Sequence, residues 1–369
     1  MNQDAFYSPS SDATPAPEAK TKPKKRVWYA DVIRVTATAM VVLIHVASKD
    51  FHRVDVDSFH WQLLNAVNGF SRVSVPLFFM VSGIFFLSPK KEVTAQSIFT
   101  KNIWRLAKAF IFWSAVYVLY ERIGETPEVS PEAVEQTWWE FIRGNFHLWF
   151  LYRLAEVYAI VPILRPITRD KRLIYYFLAV SIIVGILTPT YRQFPIRSTD
   201  TLIDNGINFD ITLGYAGYMV LGYFLHAYGL PKKVRRLIYI FGGVGAAVTI
   251  IGTSVLSLQE GSLNNILYEY LTPNVMAASA AVFLFLKQRF ADRELETGRK
   301  RMLLKLSQHS FGVYLIHVLI RDLIWRAGWN TTLFTPILSL PLSAVVIALI
   351  SYALIAILSR NKWFRNVVS

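Results

Sequence analysis

Residues 34–45 read "RVTATAMVVLIH", a stretch apolar enough to sit in lipid but bounded by an arginine and a histidine. Arg34 and His45 are eleven residues apart, about three full helical turns, so both project from one face of a helix with roughly 16 Å between them along its axis. An ionisable side chain inside a span costs roughly 2.5 to 3.5 kcal/mol against lipid, so both groups are expected to face the bundle interior or a cavity. With the chain entering from the cytoplasm, Arg34 falls in the inner half and His45 in the outer half. That layout suits a long anionic ligand whose phosphates rest on Arg34 while its reactive end reaches His45. The plainer alternative has Arg34 snorkelling to the inner headgroups and His45 resting near the outer interface.

Similar apolar runs follow along the chain. Hydrophobic residues make up 53% of the 369 and charged residues only 17%, a balance that argues for a polytopic membrane protein rather than a soluble core. Ten runs long enough to cross a bilayer as helices are expected near 28–48, 66–88, 104–122, 146–165, 172–190, 208–228, 235–257, 266–287, 310–328 and 334–358. The expected fold is therefore an all-α bundle of about ten transmembrane helices. The first run is long enough to remain as a span, and lacks the small-residue pattern of a cleaved signal peptide.

The net charge of +14 would suit a nucleic-acid binder if it were spread over one surface, but 26 of the 39 Lys and Arg residues fall in alternate connections. These are the N-terminal tail, 89–103, 166–171 with its edges, Lys232 to Arg236, Lys287 to Lys305, and the C-terminal Arg360, Lys362 and Arg365. The other connections hold six. This is the positive-inside pattern, and it places both termini in the cytoplasm without a nucleic-acid role. Residues 1–26 are too polar to fold alone and read as a disordered basic cytoplasmic tail. Residues 27–360 form the membrane domain, and 361–369 a short cytoplasmic C-terminal tail. The acidic stretch 123–145 and the charged stretch 291–301 read as ordinary connectors. No cysteine is present, which removes disulfides and thiol nucleophiles, and no His-Glu-x-x-His pattern suggests a metal.

Four blocks carry a resemblance. After Arg34 and His45 come "VPLFFMVSGIFF" (75–86), "HLWFLYRLAEVYAIVPILRP" (147–166) and "LSQHSFGVYLIH" (306–317). In this order the chain resembles the acyltransferase-3 family of membrane O-acyltransferases, especially its WecH-like branch acting on surface polysaccharides. Two features depart from the family pattern. In "KNIWRLAK" (101–108), Asn102 stands where many members have the first of two arginines and Arg105 is the second; Leu154 stands where many have a Glu, the nearest acid being Glu156.

The resemblance implies transfer of an acetyl group from acetyl-CoA, a co-substrate rather than a permanently bound cofactor, to a hydroxyl of a cell-envelope glycan or its lipid-linked precursor. The setting it implies is the bacterial inner membrane. A sugar hydroxyl needs a base within hydrogen-bond reach, and His45 is the candidate, either as base or as the group that first carries the acetyl. Arg34, Lys101 and Arg105 are placed to hold the donor's phosphates, with His317, two turns into its span from the cytoplasmic side, as a further donor contact. Arg72, Ser82, His147, Trp149, Glu156 and Tyr314 are candidates for acceptor binding or cavity lining. His147 and Trp149 also fit an interfacial aromatic anchor, and Glu156 fits an intramembrane pair with Arg153. The rivals are a flippase for glycan precursors and a glycosyltransferase using Asp50, Asp55 and Asp57 of the first external loop.

Overall fold

The computed structural model describes residues 26–123, 130–193 and 210–368. The expected disordered tail, apart from Arg26, lies outside them. Among the described residues the chain is helical without a strand, and the polytopic all-α expectation holds. Eight helices among the described residues are long and apolar enough to cross a membrane, and one bent pair of helices passes the same test when taken as a single span.

The first crossing is α1 (Trp28–Lys49). The second consists of α2 (Phe59–Ser71) and α3 (Ser74–Phe86), interrupted at Arg72 and Val73. Next come α4 (Trp104–Glu121), a surface helix α5 (Pro131–Arg143), and α6 (Trp149–Ala159) followed by α7 (Val161–Ile167). The bend between α6 and α7 is 54°. Pro162 explains it, because its ring displaces the preceding carbonyl and it lacks the N–H that would continue the ladder. The chain continues with α8 (Lys171–Ile182), α9 (Asp210–Ala227), α10 (Lys232–Ala247), α11 (Pro273–Phe290), α12 (Thr297–Arg326), α13 (Pro336–Leu358) and α14 (Lys362–Val368). Each of the ten expected apolar runs contains helix among the described residues; α9, which starts at the first residue described after 193, is the one not apolar enough to join the eight.

Helix α1 is central, packed on α2, α3, α11, α12 and α13. Peripheral helices keep apolar residues on the outside: the stretch Lys232–Glu260 has a mean hydropathy of 1.8, yet only 22% of its apolar window is buried. An outer surface of that kind requires lipid. Inside, small residues allow backbones to approach. A Cβ on Gly83 would lie 1.9 Å from the Met219 carbonyl oxygen, and one on Gly222 would lie 2.1 Å from that of Met80, so α3 and α9 are clamped together through reciprocal glycines.

Two connectors differ from expectation. Part of the acidic stretch is helix α5, started by Ser130, whose side chain accepts from the Ala133 N–H, and by Pro131 in the first turn. Its Val134, Trp138 and Trp139 are exposed, an amphipathic pattern that suits an interfacial helix. The stretch 291–301 is also partly helical, because α12 begins at Thr297 and runs for 30 residues. Lys and Arg are good helix formers, and they carry the helix beyond its apolar segment.

Candidate active site

Three helices bring three histidines together. His45 lies in the last two turns of α1, His147 in the helical turn Phe146–Leu148 that leads into α6, and His317 in the second half of α12. The His45 and His317 ring centroids are 5.0 Å apart, those of His147 and His317 5.6 Å, and those of His45 and His147 6.2 Å. His317 is therefore level with His45, rather than near the donor end as its expected span implied. The cause is the earlier start of α12, which places His317 twenty residues into the helix.

The hydrogen bonds assign the protons. His317 Nδ1 lies 3.1 Å from the Val313 carbonyl and 2.7 Å from that of Tyr314; carbonyls only accept, so Nδ1 carries the hydrogen and Nε2 holds a lone pair. That Nε2 is buried without a partner, as is His45 Nδ1. His147 Nδ1 lies 2.9 Å from Asn145 Oδ1, whose amide N–H in turn donates to Glu121 Oε1 at 3.1 Å, and His147 Nε2 lies 3.4 Å from the Leu315 carbonyl, so both ring nitrogens face acceptors and a neutral ring donates to one of the two. Tyr314, expected as a cavity liner, is a buried strut whose hydroxyl donates to the His147 carbonyl.

His45 opens onto a cavity of about 580 Å³ shared with Arg72, Phe146, Trp149, Arg153 and Tyr270. Arg72 occupies the break between α2 and α3, where its Nε donates to Asn68 Oδ1 at 2.8 Å and its guanidinium covers the Tyr268 ring at 4.4 Å. Arg153 is held by both oxygens of Glu156, each at 2.8 Å, so Glu156 is an ion-pair partner outside the cavity lining. Trp149 lines the cavity as expected, whereas His147 is buried behind it. A cavity that joins an imidazole, a guanidinium and aromatic faces can hold a polyhydroxylated acceptor and deprotonate one of its hydroxyls.

At the opposite end of α1, Arg34 is not alone. Asp31, buried one turn before it, accepts from Arg26 Nε at 2.8 Å and Nη2 at 3.0 Å, and from Ser307 Oγ at 2.7 Å; Arg34 Nη1 lies 3.5 Å from the same carboxylate. The guanidinium of Arg34 also covers Phe85 at 4.7 Å. Arg34 and Arg105 share the electrostatic neighbourhood of the Tyr158 hydroxyl, to which Ser82 is hydrogen-bonded at 3.3 Å. Ser82 thus belongs to this end and does not line the cavity around His45. Lys101 is exposed on a π-helical segment, Ile98–Ile103, that leads into α4. Such wide turns are rare and break the regular helical ladder.

Sequence reading missed Asp31 and Arg321. Arg321 is buried, donates to the His45 carbonyl at 3.1 Å and pairs with Asp322; its position four residues beyond His317 on one helical face was the available signal. Asp50, one of the acids of the rival glycosyltransferase reading, is fully buried and accepts from Trp325 Nε1 and from the Thr331 N–H and hydroxyl. Asp55 and Asp57 are exposed. Among the described residues, no three His, Asp or Glu side chains are grouped to hold a metal ion.

Comparison with known proteins gives one match. A family model described as an acyltransferase domain matches residues 27–359. Neither a curated protein nor a solved structure matches the chain.

Proposed function

Because the chain belongs to the acyltransferase-3 family and is thereby a multi-pass membrane acyltransferase, we propose that it is an O-acetyltransferase of the WecH-like kind. In this reading it moves acetyl from acetyl-CoA to a hydroxyl of a cell-envelope glycan or its lipid-linked precursor, in the bacterial inner membrane with both termini in the cytoplasm. The observation that carries the reading is the placement of His45 on the wall of a cavity of about 580 Å³, on the same helix face as Arg34 and roughly 16 Å from it.

The donor's phosphates bind toward the cytoplasmic end, where Arg34, Arg105 and Lys101 supply cations. The pantetheine arm follows the α1 face and brings the thioester to His45. There the acceptor hydroxyl loses its proton to the imidazole as its oxygen attacks the carbonyl carbon; the C–S bond breaks, and the proton passes to the leaving thiolate. Arg72 and the aromatic walls hold the saccharide.

The test is incubation of the protein in lipid with radiolabelled acetyl-CoA and an envelope glycan extract, comparing wild type with His45→Ala. Label on glycan from wild type alone supports the reading. Absence of both transfer and acetyl-CoA hydrolysis in wild type rejects it.

A further inference from the structure

On the acetyl-transfer reading above, we propose that His317 is the positioning residue for His45. Its Nε2 accepts a hydrogen bond from His45 Nδ1–H in the working enzyme, and this selects the tautomer in which His45 presents its Nε2 lone pair to the cavity.

Three observations carry the assignment. First, the proton on His317 is committed to Nδ1 by the Val313 and Tyr314 carbonyls, so its Nε2 can only accept. Second, that acceptor and His45 Nδ1 are both buried without partners, on rings whose centroids are 5.0 Å apart and whose planes are tilted by 38°. Buried polar groups are normally paired, and these two are complementary once His45 carries its proton on Nδ1. Third, the remaining ring offers neither of them a partner, since both nitrogens of His147 are turned to acceptors elsewhere, Asn145 Oδ1 and the Leu315 carbonyl. Helix α12 also fixes the backbone of His45, through Arg321 four residues beyond His317. One helix thus sets both the position and the protonation of the base.

During the reaction the Nδ1 proton stays on His45. When Nε2 takes the acceptor's proton, the hydrogen bond to His317 becomes charge-assisted and stronger; it weakens again when that proton passes to the thiolate. His317 touches neither substrate. Its loss therefore slows the chemical step, whereas a donor-binding His317 would act on the affinity for acetyl-CoA.

The experiment uses the full chain in lipid nanodiscs, as wild type, His317→Phe and His317→Gln. Phe keeps a ring without a lone pair, and Gln keeps an acceptor oxygen. His317→Phe should lower kcat on the order of 10²-fold or more with KM for acetyl-CoA unchanged, and His317→Gln should recover at least part of the loss. Independently of turnover, ¹⁵N NMR of the seven histidines, with His45 identified by its loss in His45→Gln, reads the tautomer directly. A protonated Nδ1 on His45 in wild type that shifts toward protonated Nε2 in His317→Phe supports the proposal. A wild-type His45 protonated on Nε2, or a His317→Phe that raises KM and leaves kcat intact, overturns it. An NMR result as expected in a protein that transfers no acetyl group would reject the acetyltransferase reading while leaving the tautomer assignment standing.

Discussion

The two ends of α1 treat their charged groups in opposite ways. At the Arg34 end, the buried Asp31 is saturated by Arg26, Ser307 and Arg34 itself, all but Ser307 within eight residues of chain. At the His45 end, two imidazole nitrogens are buried without partners, and the surrounding groups come from distant segments, among them Arg72, His147, Trp149 and His317. The saturated end holds its shape in the absence of a ligand, while the other keeps lone pairs and protons available for chemistry.

The largest expected effect tests whether chemistry belongs to the His45 end. His45→Ala should lower acetyl transfer on the order of 10²- to 10⁴-fold, measured as label on glycan with folding checked by size exclusion. Transfer within a few-fold of wild type would break the comparison. At the same end, Asp50→Ala removes a carboxylate that ties α1 to Trp325 and Thr331. Because it leaves buried donors unpaired, it should cost about 3 kcal/mol of stability, read by thermal or denaturant unfolding, with kcat of the folded fraction preserved. A lost kcat at unchanged stability would restore Asp50 to the chemistry.

The Arg34 end should respond in binding rather than turnover. Arg34→Ala should raise KM for acetyl-CoA by roughly tenfold, equivalent to about 1.4 kcal/mol, with the acceptor's KM unchanged; equal loss on both substrates would count against its role. Asp31→Asn should cost about 1–2 kcal/mol of stability, less than a fully buried pair, because the Arg26 and Arg34 side chains are 43% and 34% exposed and can turn to water.

The smallest effect probes the tether between α4 and α5. Arg122 donates to Glu140 at 3.0 Å and holds its carboxyl below the ordinary range. A depressed carboxyl contributes stability above that range and loses it as pH falls through the folded-state value. Arg122→Gln should therefore shift unfolding by less than about 1 kcal/mol at neutral pH, and by less still in acid. A large shift would make α5 an integral part of the outer end.

Much of the site was legible because helical geometry is local. Arg34 and His45 share a face by spacing alone, and the Arg153–Glu156 pair follows from an i, i+3 interval. Other features were legible but misread. Ser130 followed by Pro131 marks a helix start, so α5 was available from the sequence, but its acidic residues suggested a loop. The level of His317 on its helix depends on a start at Thr297, ahead of the apolar segment, and its neighbour His45 lies on another helix. The grouping of His45, His147 and His317 was not legible at all, since nothing local relates three residues so far apart in the chain.

The sequence by itself determined an all-helical membrane bundle, its family and the two ends of α1, because hydropathy and helical period are properties of contiguous residues. Only the tertiary structure decided which groups those ends meet. Asp31 reaches Ser307 across the bundle, Arg321 reaches the His45 carbonyl, and Val313 and Tyr314 fix the proton on His317. Hydrogen-bond partners and buried lone pairs are set by packing between distant segments, and that packing is a property of the folded bundle.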